Sequence, residues 1–554
     1  MQDSEDEKKA GWGVIVMLSA AQFVMVLDTT VMNVSISQNV EDLNTTVLGL
    51  QTAITIYTLV MAAFMLIGGK LGDRWGSKRA YMIGLLIYGA GSLITALSPN
   101  LGVLLVGWSF IEGFGAVLVI PAIAALTAAT YSGRQRALAY GILGGVSGAS
   151  AALGPLIGGW VTANYTWRLV FAAETVVVLA LMLFLRLIPA TQGRPGKLDL
   201  PGAALSAAGL GLAVFGILMS SRWGWISPKS GVPVAPLGLS PVFWLIVSGV
   251  ILLGMFARRE ESVIAAGGEP LADLRLLKIP PLRAGLMTLL CQQFIILSTF
   301  FVLPLYLQTV LGYDALETGI TILPLSIGLF VLALVGSSLA GRYSPKRLVE
   351  IGLFTMLVGE VLLIGFTGPD LHSLGFGVAL ALVGAGLGLL ASQLGNIIMS
   401  SVSSDRGSEV GGLQGTAQNL GGSLGTALIG SILIGSLVGN FQTLVLSEPA
   451  LIGVQQELAA AAEANANFVS ADQLQLAAEQ AGLAPAQVDA VVHLYTDAQI
   501  SALRTALAGI ALFALVALWY VRNLPSRAAV QSAEGDAAAS ADAGSEEELA
   551  TTGQ

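Results

Sequence analysis

The chain contains very few of the residues that catalytic and metal-binding sites use. Its 554 residues include one cysteine, Cys291, and two histidines, His372 and His493. A single cysteine excludes an intramolecular disulfide, and so few reactive side chains do not supply the constellation that a membrane enzyme would need. The phosphate-binding motif GxxxxGK[ST] is also absent from the sequence, so ATP-driven pumping would require a partner. We therefore expect a protein that is not an enzyme, with no cofactor and no metal site.

Charged residues are also scarce. Asp, Glu, Lys and Arg make up 11% of the chain, hydrophobic residues make up 55%, and the mean hydropathy is +0.78. Soluble domains have about 25% charged residues, so this composition predicts an all-α polytopic membrane protein. The net charge of −9 argues against a nucleic-acid partner. Fourteen apolar runs are long enough to cross about 30 Å of hydrocarbon, at 12–36, 48–69, 79–97, 101–126, 136–162, 168–189, 200–220, 241–257, 282–309, 316–340, 347–366, 373–398, 409–438 and 500–522.

The distribution of Lys and Arg predicts the orientation in the membrane. With fourteen spans, 22 of the 26 basic residues fall on the side that holds both termini. Lys and Arg concentrate on the cytoplasmic side of a membrane protein, so we expect both termini in the cytoplasm and a location in the cell membrane. The four basic residues of the other side are Arg168, Arg222, Lys229 and Arg504.

A loop between two apolar runs recurs downstream. GKLGDRWGSKRAY (69–81) is repeated by LAGRYSPKR (339–347) at a constant offset of 268, and GASAALGP (148–155) is answered by GTAQNLGG (415–422) at an offset of 267. Parallel halves around a central site are a transporter plan. The repeats predict two six-span bundles, 1–190 and 282–524, with two inserted spans and linkers at 191–281.

Two further segments lie outside the predicted spans. Residues 439–499 contain no Lys or Arg and have the pattern of short helices on the outer face, among them one opened by the capping box Ser470-x-x-Gln473 and one that starts at Pro485. A lid, a partner platform and a spacer are all open readings of this insert. The tail 525–554, rich in Ala, Ser and acidic residues, is predicted to be disordered.

These motifs carry a resemblance to a known family. LDTTVMNVS (27–35), the loop 69–81, GASAALGPLIGG (148–159) and TWRLVF (166–171) resemble the major facilitator superfamily, and within it the fourteen-span drug:proton antiporter group. The resemblance implies two six-helix bundles that rock about a central cavity. In the family the loop acts as a conformational latch, here formed by Gly69, Asp73, Arg74, Gly76, Lys78 and Arg79.

The latch and the span-five glycines have further implied roles. Asp73 is expected to meet the start of span thirteen near Ser408, and the second copy has Gly341 at the equivalent place. The alternative is that the loop charges only set topology. The family's antiporter motif corresponds to Gly148, Gly154, Pro155, Gly158 and Gly159, which favours export; ordinary helix packing is the alternative.

Four acidic residues fall inside predicted spans: Asp28, Glu112, Glu174 and Glu360. Each costs about 2.5 to 3.5 kcal/mol at membrane depth, and no Lys or Arg lies mid-span to pair with them. Such carboxyl groups can exchange protons or hold a cationic substrate. Glu174 could instead reach the outer interface near Arg168, and Glu360 lies in a span that the family places at the periphery.

The family's cavity spans implicate Asp28 and Glu112 first. The family's fourth span usually carries an Arg, and this sequence has Ser109 there, with Glu112 following and Trp108 beside it to stack a flat cation. Structural polar contacts are the alternative. Neutral candidates for the cavity in the second half are Gln292, Gln293, Gln393 and Asn396, each of which could instead form an interhelical hydrogen bond.

The function implied is proton-coupled export of amphipathic, mainly cationic small molecules by a monomer in the lipid bilayer. Export of an endogenous lipid, siderophore or metabolite would use the same machinery. An uptake symporter or a non-transporting sensor is a more distant alternative.

Overall fold

The computed structural model describes residues 12–131, 133–193, 199–229, 232, 234–339, 342–371, 373–402, 407–464 and 468–524. Within these ranges the chain is helical and forms no strand. The tail 525–554, for which disorder is predicted, and Gly341 lie outside the described residues.

The helices follow the order of the apolar runs. The first half contains α1 (Trp12–Val34), α2 (Ile36–Asp42), α3 (Val47–Trp75), α4 (Ser77–Ala96), α5 (Leu101–Leu104), a π-helical turn (Leu105–Glu112), α6 (Gly113–Thr130), α7 (Gly133–Asn164) and α8 (Arg168–Leu183). The inserted pair is α9 (Leu200–Trp223) and α10 (Pro241–Ala265). The second half contains α11 (Pro280–Leu305), a π-helical turn (Tyr306–Val310), α12 (Ala315–Leu339), α13 (Pro345–Phe366), α14 (Ser373–Ser400), α15 (Gly407–Ser447), α16 (Gln455–Ala464), α17 (Ala471–Gln480) and α18 (Pro485–Val521).

The described part of the chain has 12 helices long and apolar enough to cross a membrane. One further pair, Leu153–Asn164 and Arg168–Leu183, is bent by 119° and raises the number to 13 if it is a single span. This pair lies in predicted spans five and six. The all-helical membrane fold is therefore confirmed, whereas the number fourteen stays a prediction.

Local sequence signals explain where several helices begin. Thr46 caps α3 by accepting a hydrogen bond from the Gly49 amide, and Ser344 caps α13 by accepting one from the Arg347 amide. α4 begins at Ser77 and α13 at Pro345, which is the same offset of 268 that relates the two loops.

The two halves meet along two seams, one where α3 packs against α15 and one where α7 packs against α12. At the first seam the Gln51 amide donates to the carbonyl oxygens of Thr426 and Ala427, at 2.9 and 3.3 Å. At the end of the bundle away from the repeated loop, the Gln308 amide donates to the Val34 carbonyl and its oxygen accepts from the Ser37 amide. The halves are thus joined at the face predicted to be extracellular.

The inserted helices pack against each other, and α9 also packs on the first seam, against α3 and α15. The Ser431 hydroxyl on α15 donates to the Ile217 carbonyl on α9 at 3.0 Å. Before α9, Asp199 accepts from the Arg259 guanidinium on α10, and this ion pair lowers the pKa of Asp199 below its usual value. The two inserted helices are therefore joined to each other by the Asp199–Arg259 ion pair, and α9 is joined to the first seam by Ser431.

The described parts of the insert, 439–464 and 468–499, are mainly helical. α15 has 41 residues and α18 has 37, so at 1.5 Å per residue each is more than 50 Å long and extends well beyond about 30 Å of hydrocarbon. α16 packs on α15 and α17 on α18. The predicted capping box Ser470–Gln473 and the helix start at Pro485, which continues into the last span, are both confirmed.

Candidate functional site: a buried carboxylate cluster

Three acidic side chains from separate spans converge inside the first half. Asp28 lies on α1, Glu112 ends the π-helical turn and Glu174 lies on α8. One carboxylate oxygen from each lies within 4.8 Å of the others. Their exposed fractions are 0%, 0% and 2%. We call these three residues the carboxylate cluster.

An aromatic pair holds the first member of the cluster. The Trp108 indole N–H donates to Asp28 Oδ1 at 2.8 Å. The ring of Tyr57 on α3 stacks on Trp108, with ring centroids 4.6 Å apart and planes within 1° of parallel. Trp108 is fully buried. In this conformation its ring supports Asp28, whereas the sequence predicts that it stacks on a flat cation.

Hydroxyl groups on α4 face the third member. The Tyr88 hydroxyl lies 3.5 Å and the Ser92 hydroxyl 3.4 Å from Glu174 Oε2, both in donor geometry. These donors stabilise negative charge at Glu174, but both bonds are long. The two hydroxyl groups therefore hold Glu174 Oε2 on the side of the cluster that faces α4.

Glu112 has a different environment. Gly91 on α4 approaches it so closely that an added Cβ would lie 2.5 Å from the Glu112 amide nitrogen. Among the described residues, neither Glu112 carboxylate oxygen has a hydrogen-bond partner, and the same holds for Asp28 Oδ2 and Glu174 Oε1. Glu112 also sits in a π-helical turn, a feature that is frequent at functional sites.

No Lys or Arg of the described ranges forms an ion pair with the cluster. Arg168, which the sequence offered as a neighbour of Glu174, instead pairs with Asp42 at 2.8 Å, donates to the Ser98 carbonyl at 3.0 Å and lies over the Trp167 ring. The suggestion that Glu174 reaches the outer interface near Arg168 is therefore wrong, because helix rotation points Glu174 inward.

The spacing limits how many members of the cluster can be ionised together. Two unit charges 4.8 Å apart repel by about 3.5 kcal/mol at an effective dielectric constant near 20. Three ionised members would add about 10 kcal/mol, which is comparable to the whole stability of a domain. The cluster must therefore hold protons or a cation, and a change of conformation can change how many.

The other predicted site residues mostly make contacts between helices. The Ser109 hydroxyl donates to the Ala53 carbonyl at 2.8 Å. The Gln292 amide donates to the Leu387 carbonyl, and the Gln393 amide to the Gly336 carbonyl, both within the second half. Gln293 is half-buried on α11, and Asn396 lies on α14 with a side chain outside the described part.

The repeated loop 69–81, called the hinge loop below, packs on the connection to the inserted helices. Gly76 ends α3 with φ of +86°, and a Cβ there would overlap the Thr191 carbonyl, so glycine is required. The Lys78 amide donates to the Thr191 hydroxyl at 3.0 Å, and its ammonium group donates to the Ile188 carbonyl. Gly69, Asp73, Arg74 and Arg79 lie on α3 and α4 beside it, and the side chain of Ser408 is outside the described part.

The span-five motif lies at both α1 and the second seam. Gly154 and Gly158 face Thr30 and Val31 of α1, whereas Gly159 faces the Ala315 carbonyl at the start of α12. In return, Gly319 of α12 faces the Pro155 carbonyl. Gly148 lies on the same helix, and its surroundings are not described.

Sequence reasoning missed Tyr57, Tyr88, Ser92 and Gly91. A signal for two of them exists, because Tyr81, Tyr88, Ser92 and Thr95 follow the spacing of one helix face within an apolar span. A polar stripe at membrane depth indicates a polar partner on the facing helices.

Comparisons with known proteins agree with this architecture. The profile of the Major Facilitator Superfamily matches residues 18–426. The puromycin resistance protein pur8 of Streptomyces alboniger is 30% identical over 430 residues, which cover 77% of this chain and 82% of that protein. The tetracenomycin C resistance and export protein of Streptomyces glaucescens is 29% identical over 436 residues, which cover 77% of each.

A solved structure has the same fold. A bacterial homolog of the human lysosomal transporter Spinster, in an inward-facing and unoccupied conformation, superposes with a TM-score of 0.60 at 14% identity, covering 92% of this chain and 97% of that one. Because the family profile matches well over half of its residues, this chain belongs to the Major Facilitator Superfamily.

Proposed function

We propose that this protein exports amphipathic, mainly cationic small molecules across the cell membrane in exchange for protons, by alternating access of two six-helix bundles. The relatives named as antibiotic resistance and export proteins support efflux in general. In this proposal both termini lie in the cytoplasm, the protein acts as a monomer, and its partners are protons, cargo and lipid.

The carboxylate cluster is the observation that carries proton coupling. Three buried acids within 4.8 Å of one another, with no Lys or Arg paired to them among the described residues, cannot all be charged. In this conformation the three carboxyl groups are buried, so a proton rather than a large organic cation is the ligand that they can hold. Proton binding there removes repulsion, and proton release restores it, so the proton count and the helix arrangement bias each other.

The cluster also joins the helices that must move. It connects α1, the π-helical turn and α8, while α1 and α7 lie in direct contact through Thr30 and Gly154. α7 in turn forms the seam with α12. A rearrangement of the cluster can therefore act on the seam between the halves through packed helices.

Cationic cargo fits the charge of the cluster after deprotonation. Loss of protons leaves negative charge at membrane depth, which attracts a cation and disfavours an anion. A neutral endogenous metabolite or lipid is the alternative cargo, and resistance to cationic dyes would separate the two.

Transport in liposomes tests the proposal. Purified protein is reconstituted with a proton gradient of either sign, and uptake of ethidium, a flat monovalent cation, is followed. We expect the gradient to drive accumulation, and Asp28→Asn to abolish it while the variant still exchanges ethidium down its own gradient. Glu457→Gln is the matched control, because Glu457 is exposed on α16.

Two results would contradict the proposal. Gradient-driven accumulation by Asp28→Asn at the rate of the unaltered protein would remove the cluster from coupling. Accumulation driven by a sodium gradient but not by a proton gradient would assign the cluster to a metal cation.

A further inference from the structure

One more buried acid lies in the second half, away from the carboxylate cluster. Glu360 on α13 is 0% exposed. Its Oε1 accepts a hydrogen bond from the Thr299 hydroxyl on α11 at 3.2 Å. Among the described residues, Oε2 has no hydrogen-bond partner.

The internal repeat shows where this position falls relative to the cluster. Gly84 and Gly91 of α4 correspond to Gly352 and Gly359 of α13 at the offset of 268. Each of the four glycines approaches the next span of its own half so closely that a Cβ would meet its atoms at less than 3 Å. By the same offset, Glu360 corresponds to Ser92, whose hydroxyl faces Glu174 in the first half.

Close contacts of the paired glycines also show which residue of the second half corresponds to Glu112. Gly91 touches Glu112, and its counterpart Gly359 touches Val383, so Val383 takes the place of Glu112. Val383 is fully buried. The second half therefore has an apolar residue where the first half has an acid.

Two arginines that make equivalent contacts show that α18 of the second half corresponds to α8 of the first. Arg168 donates to the Ser98 carbonyl just beyond the end of α4, and Arg504 donates to the Thr367 carbonyl just beyond the end of α13. Glu174 follows Arg168 by the same six positions as Ile510 follows Arg504. The third acid is thus also replaced by an apolar residue.

Glu360 is therefore a lone carboxyl group at the place where the first half gathers three. α11 and α14 contain no Asp or Glu, and Arg283 lies in the first turn of α11. Arg504 on α18 is taken up by the Thr367 carbonyl, seven residues after Glu360, and the other charged residues of α18 precede Arg504. A charged group at this depth without a counterion costs about 2.5 to 3.5 kcal/mol on insertion scales. A purely structural contact to Thr299 would need only an amide or a hydroxyl.

We propose that Glu360 is a second proton-binding site, which takes up and releases one proton in each transport cycle independently of the carboxylate cluster. Its part in transport rests on the proposed proton coupling. On release, the O–H bond of the acid breaks, the proton passes to water on the side that is open, and the Thr299 hydroxyl continues to donate to the remaining carboxylate.

The experiment measures protons exchanged per cargo. In liposomes, opposing gradients of ethidium and protons are varied until net flux stops, and the balance point gives the ratio. Glu360→Gln is expected to lower the ratio by one proton per ethidium. Glu350→Gln is the matched control, because it makes the same change on the same helix near its start.

A ratio that is unchanged in Glu360→Gln would overturn the proposal. A second readout does not depend on coupling: infrared difference spectra of the lipid-embedded protein between acid and alkaline pH. We expect a carbonyl band of a protonated acid that is lost at alkaline pH, is absent from Glu360→Gln and shifts in Thr299→Val, which removes the hydrogen-bond donor.

The two proposals fail separately. If a proton gradient does not affect flux in the unaltered protein, the proposed function fails while the infrared band still decides whether Glu360 exchanges a proton. A Thr299-sensitive band that persists at all pH values would overturn the Glu360 proposal alone. If Glu360→Gln does not fold, the shift in Thr299→Val still assigns the band.

Discussion

Gly91→Ala is expected to damage coupling by a purely steric route. A Cβ at Gly91 would lie 2.5 Å from the Glu112 amide nitrogen and 2.7 Å from its Cβ, where ordinary contacts are 3.4 Å or more. The π-helical turn must therefore retreat by about 1 Å, since both clashing atoms belong to the backbone or the first side-chain carbon. Overpacking of this kind costs about 1 to 3 kcal/mol.

The displaced residue is a member of the carboxylate cluster, so the cost does not fall on stability alone. If only about 1.4 kcal/mol of it falls on the step that exchanges the proton, the rate of that step drops about tenfold. We expect proton-driven ethidium accumulation to fall at least about tenfold, with exchange of ethidium down its own gradient much less affected.

Gly84→Ala is the matched control for this prediction. A Cβ at Gly84 would lie 2.7 Å from Val119 Cγ2 and 2.8 Å from Leu118 Cβ, so it meets α6 in a similar overlap two turns earlier on α4. The unfolding midpoints of the two variants should be lowered by similar amounts, while only Gly91→Ala loses coupling. Equal loss of coupling in both variants would refute the reasoning, because it would make general packing of α4 on α6 the cause.

Three other substitutions have specific expected outcomes. Glu112→Gln should weaken the binding of a monovalent cation more than that of a neutral compound of similar size, by about 1.5 kcal/mol, the Coulomb energy of one charge at about 11 Å and an effective dielectric constant near 20; equal losses in binding assays would restrict Glu112 to proton coupling. Asp73→Asn should slow turnover for every cargo alike, because the hinge loop is remote from the cluster, and a changed order of cargo preference would contradict this. Gln308→Ala removes the hydrogen bonds to Val34 and Ser37 that join the halves; a cysteine pair across this end should cross-link more slowly, and an unchanged rate would show that the seams alone hold it closed.

Much of the architecture could be predicted from the chain itself. A bilayer offers no water to satisfy backbone polar groups, so long apolar runs must become helices. The repeated loop, the glycine motif of span five and the capping box are local patterns whose structural outcome depends on neighbours in sequence. Membership of the superfamily and the helix start at Pro485 followed from such patterns. The helices after the two repeated loops begin at Ser77 and Pro345, two residues before the predicted spans 79–97 and 347–366.

The site required the tertiary structure. Hydropathy marked Asp28, Glu112 and Glu174 as costly residues, but their meeting within 4.8 Å depends on how three helices are rotated and on the π-helical turn that precedes Gly113. A change of one residue in helical phase turns a side chain by about 100°, which sequence spacing cannot resolve across separate spans. The same cause made Arg168 look like a partner of Glu174 in the sequence.

Hydropathy and residue identity are therefore enough to predict which residues enter the membrane and which of them are acids. That three of those acids share one site, while Glu360 stands apart with Thr299, depends on how the helices pack. The physical reason is that burial in hydrocarbon is a property of each segment, whereas the approach of carboxyl groups depends on close packing between helices. That packing is set here by glycines such as Gly91, whose lack of a side chain lets α4 touch the backbone of Glu112.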